Sequence, residues 1–379
     1  MTTWQSRTPC RRSGQAEPTQ VGFVSTDRHL GGGLRGGLRT ACAGFVALTL
    51  ATSGCRQQSA GAGPRKGAST EVVVYTSLDR PYAEPVLRAF ERRSGIRVRD
   101  LYDAEATKSV GLAARLVAER ARPRADVFWS SEAVRMIGLK ERGVLAPYRS
   151  PSGADIPPRF RDPDGFWAGF AARPRVIVYN KRRVTHPPQS VFDLERPEWR
   201  DEVAVAKPWV GTAATEAAAL GQRVERPRME AHYRALRANG ARVVDGNSVA
   251  ADLAARGEVE VAVTDLDDAF VRIDDGKPLG IVYPDQHRIG TLLTPDTVAL
   301  VKGGPHPDAG RRLIDYLLSR EVEAALARAH SRQIPLRPGV PGPPGVPPIR
   351  SLRVMALDLP TLARDQQATD QFLRGLFLR

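Results

Sequence analysis

From Glu71 onward, short β-rich runs alternate with amphipathic stretches of about a dozen residues, and this alternation leaves few folds open. Residues 72–75 (Val-Val-Val-Tyr) read as a strand and residues 81–94 as a helix with Val86, Leu87 and Phe90 on its apolar face. Gly95 stops that helix, as a residue tolerant of positive φ does. A second strand at 96–101, a second helix at 107–121 capped by Thr107, and a third strand at 126–129 follow. Strands separated by helices of this length join by right-handed crossovers and make a parallel sheet with helices on both faces. Ligands bind such sheets at the carboxyl ends of the strands. Here those ends are the polar loops 76–80 and 130–132.

A second α/β unit comes next. Residues 166–170, 176–180 and 203–206 are strand-like, and 211–223 and 227–239 are helical. Residues 242–245, 248–256 and 259–264 form a β-α-β unit ending in the acidic loop 265–268. Strands at 281–284 and 297–301 precede helices at 307–319 and 320–330. The segment 335–348 (PLRPGVPGPPGVPP) has too much proline for a helix or a sheet interior, so it should wrap the surface before a last helical stretch.

The formal charge of +14 over 379 residues invites a nucleic-acid reading until it is located. Residues 1–68 hold nine Lys/Arg against Glu17 and Asp27. In the remainder basic residues are interspersed with acids, as in Glu91-Arg92-Arg93. No basic stripe interleaved with aromatics occurs, so a nucleic-acid partner is not expected. All three cysteines (Cys10, Cys42, Cys55) lie in the first 55 residues, which excludes a disulfide, a thiolate metal site or a Cys nucleophile from the body. No Gly-x-Ser-x-Gly or His-Glu-x-x-His is present either, and an enzyme is not expected.

The uncharged run 41–54, flanked by Arg35 and Arg39 and ending in small residues before Cys55, reads as an export signal. Small residues directly before a cysteine resemble a lipobox, with Cys55 as the lipidated residue, although Thr52 stands where an aliphatic residue is usual; a plain signal peptide is the competing reading. Residues 56–68 read as a flexible tether.

Several segments in order resemble the bacterial ABC-importer solute-binding proteins of the ferric-iron-binding type. They include Val74-Tyr75-Thr76-Ser77, Ser94-Gly95-Ile96, Ala125-Asp126-Val127-Phe128-Trp129, Val176-Ile177-Val178-Tyr179-Asn180, Pro197-Glu198-Trp199, Gly246-Asn247-Ser248 and Leu336-Arg337-Pro338-Gly339. The resemblance implies an α/β, two-lobed, type 2 periplasmic-binding-protein fold with a two-strand hinge and a ligand cleft between the lobes. It puts the leader at 1–55, the tether at 56–68, lobe 1 at 69–172 plus about 298–379, and lobe 2 at 173–297. It also implies no required cofactor, Fe(III) or another small solute as cargo, and an ABC permease with ATPase subunits as partners. The chain is expected to be a monomer in the periplasm or cell envelope, touching the membrane only through its lipid anchor.

In the ferric-binding members two adjacent tyrosines hold the metal, often with a His and a Glu. Here Asp267 and Asp268 stand where the tyrosines would be, Asp79 where the His would be, and Ser131 or Glu132 where the Glu would be. Carboxylates are hard donors, so Asp79, Glu132, Asp267 and Asp268 are metal-ligand candidates. The competing reading makes Asp265, Asp267 and Asp268 the cap and dipole partners of the next helix. Neighbours one apart on a helix also diverge. Further ligand-binding candidates are Thr76, Ser77, Ser130, Thr212, Asn247 and Ser248, short donors at strand ends; Arg173, which could hold an anion; and Tyr283, which could supply a phenolate. The alternative cargo is a small organic solute: a phosphonate, another organic anion or a polyamine.

Overall fold

The computed structural model describes residues 70–103 and 110–378. Thr107, the leader, Cys55 and the tether fall outside that range.

The first lobe is built from β1 (Glu71–Thr76), α1 (Arg80–Ser94), β2 (Arg97–Tyr102), α2 (Val110–Ala118), β3 (Val127–Ser130), α3 (Val134–Glu141) and β4 (Leu145–Ala146). In α1, Ala83, Val86, Leu87 and Phe90 are buried at helical spacing, and Gly95 (φ +69°) closes the helix by donating its N–H to the carbonyl of Glu91. β1 pairs in parallel with both β2 and β3, as the crossover argument requires.

β5 (Ala168–Asn180) leaves this sheet and enters a second one. The second lobe then adds β6 (Val203–Ala206), α4 (Gly211–Val224), α5 (Arg226–Ala238), β7 (Arg242–Val244), α6 (Asn247–Arg256), β8 (Val261–Asp265), α7 (Leu266–Asp274) and β9 (Leu279–Val282). β10 (Leu293–Val301) returns to the first sheet, followed by α8 (Pro307–Leu317), α9 (Arg320–Arg328), the proline-rich segment and α10 (Leu359–Phe377). The strand order is β2-β1-β3-β10-β5-β8-β6-β7, with β4 on β10 and β9 on β5. Each sheet has an apolar cluster on both faces, so both are sandwiched between helices.

Two features differ from the sequence reading. The strands expected at 166–170 and 176–180 are one strand. Between them lie Pro174 and the flanking arginines. In the fold they lie where β5 exchanges its partner β10 for β8, so the missing N–H of Pro174 interrupts no continuous ladder. The register slips beside Ala171 (φ +52°), a bulge residue that kinks β5 where the two sheets meet. The second difference is α10. The expectation assigned 298–379 to lobe 1, but Leu362 and Leu373 join the cluster of Trp199, Leu220 and Tyr233 in lobe 2. Leu359 and Ala363, which border that cluster too, also reach the one around Leu112 and Met136 in lobe 1. The proline-rich segment carries the chain far enough for its last apolar helix to cover both. No described helix is long and apolar enough to cross a membrane.

Candidate ligand-binding cleft

Arg173 and Arg175 lie two apart on β5 and so project from the same face of the strand. Both are almost fully buried, at 2% and 1% exposure, a position an arginine tolerates only with partners. Arg173 faces Asp265 (3.4 Å), Asp267 (3.3 Å) and Asp296 (3.5 Å), and its Nη2 donates to the carbonyl of Ser131 (3.2 Å). One guanidinium thus ties together the β3–α3 loop of lobe 1, the hinge strand β10 and the start of α7 in lobe 2. Arg175 donates to Glu216 (3.0 Å), Asn247 Oδ1 (2.6 Å) and Asp265 (3.0 Å).

Asp265 joins the two systems, also accepting from Thr212 Oγ1 (2.7 Å) and Asn247 Nδ2 (3.0 Å). Burial opposes its charge, but Arg175, Arg173 and the Thr212 hydroxyl outweigh burial and hold its carboxyl below the usual range. Asp296 goes the other way. Burial pushes its carboxyl up to about 7; Arg173 opposes the shift, while Asp267 and Asp79 add to it.

Asp265, Asp267 and Asp268 each offer an oxygen within 4.8 Å of the others. The divergence expected of neighbours is present: Asp267 turns to Arg173, and Asp268 to Arg272 (3.6 Å) and Thr264 (3.5 Å). Their oxygens nonetheless stay close. From lobe 1, Tyr82 on the first turn of α1 lies in the field of this group. Burial raises its phenol pKa most, followed by the charges of Asp267, Asp268 and Asp79. Asp79 sits at the N-cap of α1, where its charge also acts on Arg173 and Asp296. The structure therefore brings Asp79, Arg173, Asp265, Asp267 and Asp268 together, with Thr212 and Asn247 behind Asp265.

Other candidates lie elsewhere. Glu132 is fully buried and is drawn to lobe 2, accepting from the Thr215 hydroxyl on α4 and facing Arg135 (3.4 Å). It closes one lobe on the other and does not join the aspartates. Ser77 and Ser131 bond each other (3.2 Å), while Thr76 and Ser130 accept from the backbone N–H two residues on, of Leu78 and Glu132. These four groups shape the strand-end loops. Ser248 contributes its carbonyl to Arg272 (3.1 Å). Tyr283 packs with Val244, Ile273 and Ile281 on a core cluster, where burial alone raises its phenol. Trp129 is a core residue, its ring 5.5 Å from that of Phe170 and tilted against it.

Several residues of the site escaped the sequence reading, Arg272 and Lys207 among them. Glu216 is the one charge in the buried alanine-rich stretch Gly211–Leu220, and Asp296 is the one charge in β10, so each carried a signal as an acid inside an apolar element. Tyr82 and Thr215 had no local signal. Their partners are far away in sequence.

Beside Asp265 a small cavity of about 20 Å³ is lined by Ser131, Arg173, Lys207, Gly211, Thr212 and Asn247, among others. It faces the N-terminal turns of α4 and α6, where backbone N–H groups favour negative charge. Asp245, which pairs with Lys207, and Asp265 also line it, so the acidic patch adjoins a pocket that carries both signs of charge.

Residues 123–347 match the family of bacterial extracellular solute-binding proteins, and the chain belongs to it. It is 26% identical to iron uptake protein A1 of Synechocystis sp. over 286 residues, 73% of this chain and 78% of that protein. It is 25% identical to the major ferric iron-binding protein of Neisseria meningitidis over 321 residues, 80% and 92% of the two chains. Among solved structures, iron-bound HitA from Pseudomonas aeruginosa superposes with a TM-score of 0.73 at 23% identity, covering 81% of this chain and 99% of that one.

Proposed function

We propose, from the premise that the chain belongs to the bacterial extracellular solute-binding proteins, that it captures ferric iron together with a small anion or as a ferric chelate, and delivers it to an ABC permease. The observation that carries the reading is the charge of the cleft. Leaving aside Asp296, five carboxylates (Asp79, Glu216, Asp265, Asp267, Asp268) face three guanidiniums (Arg173, Arg175, Arg272). That surplus of negative charge is relieved by a cation, and hard carboxylate oxygens suit Fe(III). Asp267 and Asp268 take the metal. Asp265 stays committed to the two arginines and organises the pocket. The anion meets the N-terminal turns of α4 and α6 at the mouth of the adjoining cavity, which itself has room for about one water. The family names of the relatives support iron as cargo.

Capture couples to closure through contacts that exist only when the lobes meet: Arg173 to the carbonyl of Ser131, and Thr215 to Glu132. A permease then recognises the closed form, with the protein held at the envelope through Cys55.

The test is calorimetric titration of the metal-free chain with ferric nitrilotriacetate, ferric citrate and 2-aminoethylphosphonate. Ferric species are expected to bind, and Asp267→Ala with Asp268→Ala to weaken them at least about tenfold, the loss of one charge-assisted contact or more. Binding of the phosphonate alone would assign the cleft to an organic solute. Unchanged ferric affinity in the double variant would remove the carboxylates from the site.

A further inference from the structure

At the end of lobe 1 far from the cleft, the amino ends of its parallel strands form one row. Register sets Arg97 of β2 beside Glu71 of β1, and the β1–β3 pairing, continued to the start of β3, puts Arg124 level with both. The antiparallel pairing of β10 with β3 brings Lys302 and Gly303 to the same line, where Gly303 lies against Pro123. Across the four strands this row is about 14 Å long.

The row is basic and largely unneutralised. Arg122, Arg124 and Lys302 are exposed, and none makes an ion pair with a described residue. Arg97 and Arg99 divide the one carboxylate of Glu71 (3.7 and 3.0 Å). Arg92 and Arg142 add two exposed cations at the ends of α1 and α3, where helix dipoles favour them. Strand ends offer Arg124 and Lys302 no comparable field. Of the acids nearby, Glu119 pairs with Arg115 and Asp308 with Arg311, which leaves Glu141 exposed and unpaired among the described residues. The matching row of lobe 2 is neutralised: Glu202 and Glu260 stand level before β6 and β8 and share Arg183 (2.8 and 3.5 Å). Thr70 accepts from the N–H of Arg97 (2.8 Å), so residues 1–69 join the body at the basic row.

We propose that this edge of lobe 1 docks on an anionic lipid surface. Guanidiniums take phosphate oxygens bidentately, and each cation held near an anionic bilayer strengthens binding about fivefold. On the reading of Cys55 as the anchor, the chain that leads to it leaves from this same row and keeps the row close to the membrane. The carboxyl ends of β1 and β3, and the cleft with them, then face away from the lipid, open to incoming solute.

Vesicle co-sedimentation of the full chain carrying Cys55→Ser tests it, and that substitution makes the outcome independent of lipidation. Vesicles of phosphatidylcholine with about one-third phosphatidylglycerol are compared with phosphatidylcholine alone, at low and high salt. Binding to the anionic vesicles is expected to exceed binding to the neutral ones at least about tenfold and to fall away in high salt. Arg122→Glu with Arg124→Glu should weaken it at least about twentyfold, and Lys302→Glu alone at least about fivefold. Arg182→Glu with Arg223→Glu makes the same change of charge on lobe 2 and should leave binding within about twofold. All five positions are exposed; thermal unfolding checks each fold, and Lys302→Glu decides if the paired variant unfolds. Equal binding to both vesicles, full binding after the substitutions in the row, or an equal loss in the lobe 2 variant would overturn the proposal.

Discussion

Replacing Arg175 by methionine keeps most of its volume and removes its charge. In the protein that guanidinium is 1% exposed and satisfies Glu216, Asn247 and one oxygen of Asp265. Asp265 would keep Arg173, Thr212 and Asn247, but Glu216, 7% exposed, would lose its ion-pair partner. Removing one member of a buried pair costs about 3–5 kcal/mol, a large share of the 5–15 kcal/mol that holds a typical domain together. The pH dependence follows from Asp265. Its carboxyl is held below the usual range, so its contribution is present above the unfolded value near ~3.9 and is lost as pH falls through the folded one. The gap between parent and Arg175→Met should therefore be full at pH 7.5 and narrow below about pH 4. Urea unfolding across that range measures it, and adding Glu216→Gln to the variant should return part of the loss by removing the stranded charge. A loss under about 1 kcal/mol at pH 7.5, or one that stays the same down to pH 3, would refute the reasoning.

Asp296 makes the opposite prediction. Its carboxyl rises from 3.8 to about 7, so the protonated form favours folding and its contribution fades as pH climbs through 7. Asp296→Asn should flatten stability between pH 4 and 8, gaining of order 4 kcal/mol at the upper end; a parallel pair of pH profiles would contradict this. Thr215→Val removes a hydroxyl that crosses between the lobes to Glu132. Stopped-flow release of the cleft ligand should accelerate about tenfold, and an unchanged rate would show that Glu132 does not latch the closed form.

Much of the fold was legible because local periodicity and turn chemistry agreed with it. Gly95, the strand runs of lobe 1 and the β-α-β unit ending at Asp265 are cases where sequence spacing and burial coincide. The fused β5 was not legible, since a proline gives no N–H to a ladder and fits this strand only because two sheets hand over there. The acidic loop was visible as charge, yet its division of labour was not. What separates Asp265 from Asp267 and Asp268 is Arg173 and Arg175, about 90 residues earlier. Glu132 was drawn toward the metal by its place beside Ser131, and only Thr215 on α4 shows where it points.

β5 and β10 carry a consequence for engineering. Everything between Arg173 and Thr294 leaves and re-enters the first sheet through one matched pair of residues, so that stretch is a single insert with adjacent ends. A recombinant that cuts both strands at this register could receive the corresponding stretch of a relative and leave the first sheet's hydrogen bonds unbroken. A cut at only one of them would shear a ladder. Specificity in this architecture is thus exchangeable as a cassette, provided the incoming half matches both the kink at Ala171 and the apolar face that α10 lays on lobe 2.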